Sequence, residues 1–268
     1  MADVFRKARP DVPDGFFAAE AAGLRWLDVP GGVRVAHVID VGRDHLDLER
    51  IPGAHPTPAA ARALGHGLAV VHDAGAPAFG ALPPDGAEPG TARRTAYFGP
   101  LADPLEMAGG SWDDWPTFYA EARLRTVLEQ GRERGVFTAH DAALVERVCS
   151  RLPQLAGPIL GDVPARLHGD LWSGNVLWSP GPYDGAEAVV VDPAAHGGHR
   201  EADLAMLALF GAPYLEEILA AYEEVHPLAR GWRHRVSLHQ LYPLAVHAVL
   251  FGHGYVGRTR RLLDELAG

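Results

Sequence analysis

The first fifty residues show short hydrophobic patterns that change period along the chain. Residues 4–7 fit a short strand, and after a loop containing Pro and Gly the apolar positions of 16–27 recur at helical spacing. Residues 33–40 and 44–51 then predict two strands joined by a turn that contains glycine. The predicted order is a strand, a helix and a β-hairpin.

From Thr57 onwards the pattern is mainly helical. Thr57 is a typical N-cap, and Pro58 suits the first helical position because no partner is needed there for an N–H. Residues 74–110 are rich in Gly, Pro and Ala and predict a functional or partly mobile loop. Further amphipathic stretches predict helices at about 115–133, 140–151, 201–210, 214–225 and 232–250. We therefore expect two units, a small α/β lobe at 1–54 and a larger, mostly helical lobe at 55–268.

Composition narrows the class of protein. The 268 residues are 47% hydrophobic and 22% charged, which is typical of a folded globular chain, and no internal repeat or heptad pattern appears. The formal net charge of −10 disfavours a broad nucleic-acid surface. No apolar run suits a membrane span and the N-terminus lacks the apolar segment of a signal peptide, so we expect a cytoplasmic protein.

Two residue types occur only once. Cys149 lies in a helical apolar pattern, which favours a buried, unreactive thiol, and a single cysteine excludes a disulfide within the chain. Lys7 is the one lysine in a chain whose other strong bases are arginines. It is either a remaining surface residue near the terminus or a position that requires a compact ammonium group.

The strongest chemical pattern is the segment from His168 to Asn175, with Asp192 following at the end of a short apolar run. Phosphoryl transfer needs a carboxylate that accepts or orients a hydroxyl proton, and oxygen ligands that hold Mg²⁺ against the triphosphate. Kinases place their catalytic Asp five residues before a metal-binding Asn, which is the spacing from Asp170 to Asn175. We therefore predict Asp170 as the catalytic base, with Asn175 and Asp192 as the metal ligands.

An ordinary turn would also favour Asp and Asn, so the flanking residues matter. Residues 165–167 read as a strand that enters the segment, and residues 176–178 read as a strand that leaves it. Together they predict a hairpin-like catalytic loop.

The first unit offers partners for ATP. A strand lysine that contacts the α- and β-phosphates is held by a helix glutamate in kinases, and Lys7 and Glu20 occupy a predicted strand and helix in that order. Glu20 as a solvated helix residue is the alternative. Glu49 and Ile51 lie where a hinge between lobes would present backbone groups to adenine, although an edge strand without a ligand would look the same.

These residues resemble the fructosamine kinase (ketosamine-3-kinase) family, relatives of the aminoglycoside phosphotransferases. The Trp within the catalytic segment and the Arg-Glu-x-Asp-Leu-Ala segment favour this family over its relatives. The similar stretches are distributed along nearly the whole chain: 16–24, 112–124, 168–175, 190–206 and 241–255.

The resemblance implies an α+β, protein-kinase-like bilobal fold with a small β-rich lobe and a larger, mainly helical one. It implies ATP and Mg²⁺ as cofactors and a ketosamine small molecule or a glycated protein amine as partner, with no nucleic acid or membrane involved. The implied reaction phosphorylates the 3-hydroxyl of the ketosamine, after which the product decomposes and frees the amine, a repair of glycation. By motif position Asp170 is the base, and Arg200, Glu201 and Asp203 are expected to brace the catalytic loop.

One departure from the family pattern concerns the nucleotide lid. Family members have two strands and a Gly-rich loop before the lysine strand, whereas this sequence begins six residues before Lys7. Either the true start lies upstream of residue 1, or the small lobe is N-terminally incomplete and has an incomplete lid, which should weaken ATP binding. A nucleotide-binding pseudokinase and a kinase of another amino-alcohol or an aminoglycoside stay open as alternatives.

The acceptor pocket is expected between the catalytic loop and the C-terminal helices. Aromatic side chains offer flat apolar faces to a sugar, and Trp172 is the first candidate because it lies inside the catalytic loop. The other candidates are Trp112, Tyr242, His247 and Tyr255.

Overall fold

A small antiparallel sheet carries the N-terminal end of the chain. The computed structural model describes residues 3–85 and 95–268. Strand β1 (Val4–Ala8) pairs with β4 (His45–Glu49), which pairs in turn with β3 (Val38–Val41), and Lys7 lies opposite Leu46. Helix α1 (Phe16–Leu27) follows β1 and has the predicted bounds. This arrangement confirms the predicted order of strand, helix and hairpin.

The prediction of one strand over residues 33–40 was wrong in part. The segment divides into β2 (Arg34–Val35) and β3, and β2 pairs in parallel with β9 (Ala186–Val190). The break lies at Ala36 and His37, where Ala36 N–H donates to the carbonyl of Val190 and the carbonyl of His37 accepts from Glu49 N–H. A single alternating segment thus serves two sheets, because tertiary pairing decides which neighbour each half meets.

Helix α2 (Pro58–Asp73) begins as predicted. Thr57 Oγ1 accepts a hydrogen bond from Ala60 N–H at 3.1 Å, and Pro58 takes the first helical position. The helix packs closely on α7 (Leu215–Val225). A side chain at Gly65 would place Cβ about 2.1 Å from the Ile218 carbonyl oxygen, so this crossing requires glycine.

The prediction of a loop over 74–110 was wrong for its second half. Strands β5 (Thr95–Phe98) and β6 (Leu105–Ala108) form an antiparallel hairpin, in which Ala96, Phe98, Leu105 and Met107 are buried. The alternation covers only four residues on each strand, which is too short to stand out from sequence. Residues 86–94, part of the same predicted loop, lie outside the described residues.

Helices form most of the remainder. Helix α3 (Trp115–Phe118) continues through a π-helical segment (Tyr119–Arg125) into α4 (Thr126–Glu133), as predicted for 115–133. Further helices are α5 (Ala139–Ala156), α6 (Glu201–Leu209) and α8 (Trp232–Phe251). Helix α9 (His253–Ala267) was not predicted, because Gly254 and Gly257 weaken its signal, although Leu263 and Leu266 pack into the core.

The strands around the catalytic segment are paired differently from the prediction. Strand β7 (Ala165–Leu167) pairs with β10 (His196–Gly198), and β8 (Val176–Tyr183) pairs with β9. The hairpin-like pairing of the two strands flanking the segment was therefore wrong. The turn at Asp184 and Gly185, both with positive φ, joins β8 directly to β9, and Asp-Gly is a strong hairpin signal.

Two large clusters of buried residues form the core. One lies among the C-terminal helices and includes the β5–β6 hairpin, and the other joins α1, α2 and α7 to the strands. Cys149 is buried in the first cluster, and burial raises the pKa of its thiol to about 11, as expected for an inert cysteine. Within the described ranges no helix is long and apolar enough to span a membrane.

Candidate active site

His168 ties the catalytic segment to the strand that leads to Asp192. Its Nδ1 accepts from Asp170 N–H at 3.2 Å, and its Nε2 lies 2.9 Å from the carbonyl oxygen of Val191. These partners assign the neutral tautomer that carries its proton on Nε2. Burial lowers the pKa of the imidazole, which keeps it neutral. His168 therefore has a structural role that holds the two motifs together.

Asp170 lies in the segment between β7 and β8 with one oxygen satisfied and one open. Asn175 Nδ2 donates to Asp170 Oδ2 at 3.0 Å and to the Asp170 carbonyl at 2.8 Å. Asp170 Oδ1 is buried and has no hydrogen-bond partner within the described residues. Burial, together with the charges of Asp192 and Asp203, raises the pKa of Asp170 well above its usual range, against the lowering effect of Asn175. A carboxylate in this state is a good proton acceptor.

Lys7, Glu20 and Asp192 form one ion cluster. Lys7 Nζ lies 2.8 Å from Glu20 Oε1 and 2.5 Å from Asp192 Oδ1. Burial alone would lower the pKa of Lys7, but the two carboxylates raise it above its ordinary value. Asp192 follows β9 with φ of 57°, a left-handed conformation that is uncommon for residues other than glycine. Asn175 Nδ2 lies 3.5 Å from the Asp192 carbonyl. The structure thus brings together four predicted site residues from distant parts of the chain: Lys7, Glu20, Asn175 and Asp192.

The structure places neither Glu49 nor Ile51 in the lining of the cavity that contains Lys7 and Asp192. The Glu49 carboxylate accepts from Arg34 at 2.7 Å and from His37 N–H at 3.0 Å, and the Glu49 N–H donates to the His37 carbonyl at 2.9 Å. Ile51 packs, as does Leu177, against a small cluster that contains Val191. The carboxylate and the N–H of Glu49 are therefore already paired, and the hinge assignment stays a prediction.

One cavity of about 630 Å³ joins these charged residues to an aromatic surface. Its charged end contains Lys7, Glu20, Asp170, Asn175 and Asp192, and its other end contains Trp172, Phe210, His247, Phe251 and Tyr255. Trp172 is 37% exposed and packs on Phe210 with ring centroids 5.8 Å apart.

The aromatic candidates divide into two groups. Trp172, His247 and Tyr255 line the cavity, whereas Trp112 and Tyr242 lie elsewhere. Trp112 instead donates to Glu121 at 2.9 Å. Phe210 and Phe251 were missed. For Phe251 a signal existed, since it lies four residues after His247 on α8 and therefore on the same helical face, whereas nothing local marks Phe210.

A buried carboxylate, that of Asp203, hydrogen-bonds to the backbone of the catalytic segment. Asp203 is 1% exposed and accepts from His168 N–H at 2.7 Å, Gly169 N–H at 2.9 Å and His72 Nε2 at 3.1 Å. Burial would raise its pKa, but the hydrogen bond and charge of His72 and the Gly169 amide lower it. The predicted bracing is confirmed for Asp203.

The other two predicted braces act at a distance from the loop. Arg200 pairs with Asp73 at 2.8 Å, and Glu201 accepts two hydrogen bonds from Arg235. His72 was missed, because nothing in its helical pattern distinguishes it from a core residue.

The residues present fit a divalent cation. Since Asn175 donates through Nδ2, its Oδ1 is left as an acceptor, and the Asp192 side chain is 43% exposed toward the same cavity. Amide and carboxylate oxygens are the donors that Mg²⁺ prefers, usually alongside phosphate oxygens and water. When bound, such an ion would neutralise charge on the phosphates.

The fold and this constellation define a class, the small-molecule kinases with a protein-kinase-like fold. Choline kinase LicA from Streptococcus pneumoniae shares the fold, with a TM-score of 0.61 at 16% identity over 98% of this chain and 86% of that one. A Thermobifida fusca YX-ER1 structure assigned as a fructosamine-3-kinase has a TM-score of 0.87 at 47% identity, over 99% of this chain and 85% of that one.

Sequence comparison gives the family. The fructosamine kinase family model matches residues 105–267. A protein from Enterococcus faecium, named "Probable ketoamine kinase", is 33% identical over 97% of this chain and 86% of its own length. The chain belongs to the fructosamine kinase family. It is therefore a small-molecule kinase.

Proposed function

We propose that this kinase phosphorylates the 3-hydroxyl of a fructosamine or ribulosamine with Asp170 as the base. The hydroxyl proton passes to Asp170 as the hydroxyl oxygen bonds to the γ-phosphorus and the bond to the bridging oxygen of ADP breaks. The observation that carries the proposal is the open Oδ1 of Asp170, which is buried in the same cavity as Lys7 and Asp192. Its raised pKa favours proton acceptance.

The nucleotide assignments follow from the ion cluster. Asn175 and Asp192 would hold Mg²⁺, and Lys7, kept in place by Glu20 at 2.8 Å, would meet the α- and β-phosphates. In the resting cluster Asp192 serves as the second partner of Lys7, and the phosphates would take over that role. The backbone of Glu49 and Ile51 would contact adenine beside Leu177 and Val191.

The acceptor would lie at the aromatic end of the cavity. Trp172 offers a partly exposed ring next to Asp170, which suits the apolar face of a sugar. The 3-phosphorylated product would then eliminate phosphate and release the amine, so the role we propose is deglycation repair.

The test is ATP consumption with fructosamines, ribulosamines and aminoglycosides, followed by phosphorus and proton NMR of the product. Phosphate on C3 of a ketosamine, with later release of free amine, is the expected result. Phosphate on another hydroxyl would contradict the assigned position, and turnover on aminoglycosides alone would contradict the acceptor class. The Asp170→Asn variant, prepared in the same way, measures the ATP consumed by contaminating ATPases.

A further inference from the structure

A second, smaller cavity of about 40 Å³ lies against the catalytic segment. It is lined in part by Gly169 and Asp203, and among the described residues it shares no lining residue with the reaction cavity. Much of its wall comes from residues 115–123, 196–206 and 239–243. Two stretches of family resemblance, 112–124 and 241–255, thus contribute here to a wall that phosphoryl transfer does not use.

Arg123 is the unusual residue of this wall. It is 1% exposed, and its Nη1 donates to the carbonyls of Ala108 at 3.1 Å and Ala122 at 2.9 Å. Its Nε and Nη2 are buried and have no hydrogen-bond partner among the residues that the structure describes. Arginine stays protonated in proteins, so this is a buried positive charge with two open donors.

No carboxylate neutralises that charge in residues 3–85 and 95–268. Burial lowers the pKa of Arg123, and only the tyrosines Tyr242 and Tyr119 oppose that shift. The guanidinium lies 4.6 Å from the centroid of Phe118 and 5.6 Å from that of Tyr242. Ring faces attract a cation, but they do not replace a hydrogen-bond acceptor for the two open N–H groups, and a buried unpaired charge is costly.

His239 adds a second polar group without a hydrogen bond. It is 2% exposed, and neither ring nitrogen has a hydrogen-bond partner in the described part of the chain, although Nε2 lies 3.3 Å from Glu201 Oε2. The ring packs on Trp115 and on His199, with centroids 4.9 Å and 5.2 Å away. The Nε2–H of a neutral His239 faces the Glu201 carboxylate, so the donors left open to the cavity are those of Arg123.

The ligand of this cavity must be small and must accept hydrogen bonds. A volume of 40 Å³ exceeds the roughly 10–15 Å³ that one water needs, and limits the ligand to a species of a few atoms. Water would satisfy the donors without supplying a countercharge, whereas a small anion supplies both. The carboxylate in the wall, Asp203, is already compensated by His72 and the amides of His168 and Gly169.

We propose that this cavity is a binding site for one small monovalent inorganic anion of the halide class, held by the open donors of Arg123. The bound anion would connect the segment 115–123 to Gly169, next to Asp170. This site does not depend on which hydroxyl the kinase phosphorylates, so its failure and that of the proposed function are separate.

Thermal unfolding in sodium chloride and sodium gluconate, at equal sodium concentration, tests the site. Chloride at about five times its Kd should raise Tm by about 2–4 °C relative to gluconate. Arg123→Met, which keeps an unbranched apolar stem and removes the guanidinium, should lose this difference. Arg125→Met is the matched control, since Arg125 is exposed and pairs with Glu146 at 2.7 Å, and it should keep the difference. Equal chloride dependence in all three proteins, or none in the wild type, would overturn the proposal.

Crystals of the wild-type protein grown with sodium bromide give a second test, which does not require a variant that folds. An anomalous peak within hydrogen-bond distance of Arg123 Nε or Nη2 is expected. Water alone in the cavity, or bromide bound only at the surface, would refute the anion site.

Discussion

Two buried aspartates at the catalytic segment, Asp170 and Asp203, differ in their hydrogen-bond donors and in the direction in which the pKa of each is shifted. Asp203 accepts from two backbone amides and His72, and its pKa is lowered despite complete burial. Asp170 has Asn175 as its side-chain donor, keeps one oxygen open, and its pKa is raised. Burial penalises both charges, so the number of donors decides which carboxylate stabilises the fold and which remains reactive.

Asp170→Asn gives the largest expected effect on activity. The amide cannot accept the hydroxyl proton, so kcat should fall by about 10²–10⁴, the usual contribution of a general base. The Kd for Mg-ATP, measured by calorimetry, should stay within about twofold. Turnover like that of the wild type would remove Asp170 from its proposed role.

The same variant also tests whether Asp170 costs stability. Because its folded-state pKa is raised, the wild-type carboxyl is favourable when protonated at low pH and becomes destabilising as pH rises through the folded-state pKa. Asp170→Asn should therefore be more stable than the wild type near pH 7, by about 2–4 °C in Tm for each 1 kcal/mol gained. The difference should vanish below the ordinary carboxyl pKa of about 4. A lower Tm for the variant at pH 7 would contradict this account.

Asp203→Ala should mainly destabilise the fold. Removing one member of a buried, hydrogen-bonded pair costs about 3–5 kcal/mol because the partners are left uncompensated. Urea unfolding measures the loss, and Glu216→Ala, at an exposed pair with Arg233, should change stability by only about 0.5 kcal/mol or less.

The pH dependence of the Asp203 effect has the opposite sign from that of Asp170. Since its folded-state pKa is lowered, the stabilisation is present above the unfolded carboxyl pKa of about 4 and is lost as pH falls through the folded-state value. Asp203→Ala should therefore converge with the wild type in acid. A loss of stability independent of pH would show that packing, and not charge, is responsible.

Asp192→Ala should act on nucleotide binding and not on the chemical step. The variant removes a ligand proposed for Mg²⁺ and one of two partners of Lys7, so the Kd for Mg-ATP should rise by at least about tenfold, equivalent to 1.4 kcal/mol. Titration calorimetry with and without Mg²⁺ separates the two losses. Unchanged affinity in the presence of Mg²⁺ would exclude the metal assignment.

Trp172→Ala should have the smallest and most selective effect. Removing the partly exposed ring should raise KM for the ketosamine by about two- to tenfold, comparable to the loss of one aromatic contact of about 0.5–1.5 kcal/mol. KM for ATP should not change. Equal increases for both substrates would indicate a distorted loop and not a sugar contact.

Much of the candidate site could be predicted because its chemistry is encoded at short range. The spacing from Asp170 to Asn175, the strand before Asp192 and the single lysine each carry a signal within a few residues. The β5–β6 hairpin and helix α9 were missed, since their local patterns are short or interrupted by glycine. The pairing of β7 with β10 was missed because nothing local selects between partners of similar strands.

The sequence by itself determined which residues are the candidates for the chemistry and on which elements most of them lie. Tertiary structure alone decided that Asp203 would be surrounded by donors, and that, among the described residues, Asp170 would keep an open oxygen and Arg123 would lack a carboxylate partner. The physical reason is that solvation and hydrogen-bond partners come from chain segments far apart in sequence. His72 and Asp203, for example, are 131 residues apart and meet only in the folded protein.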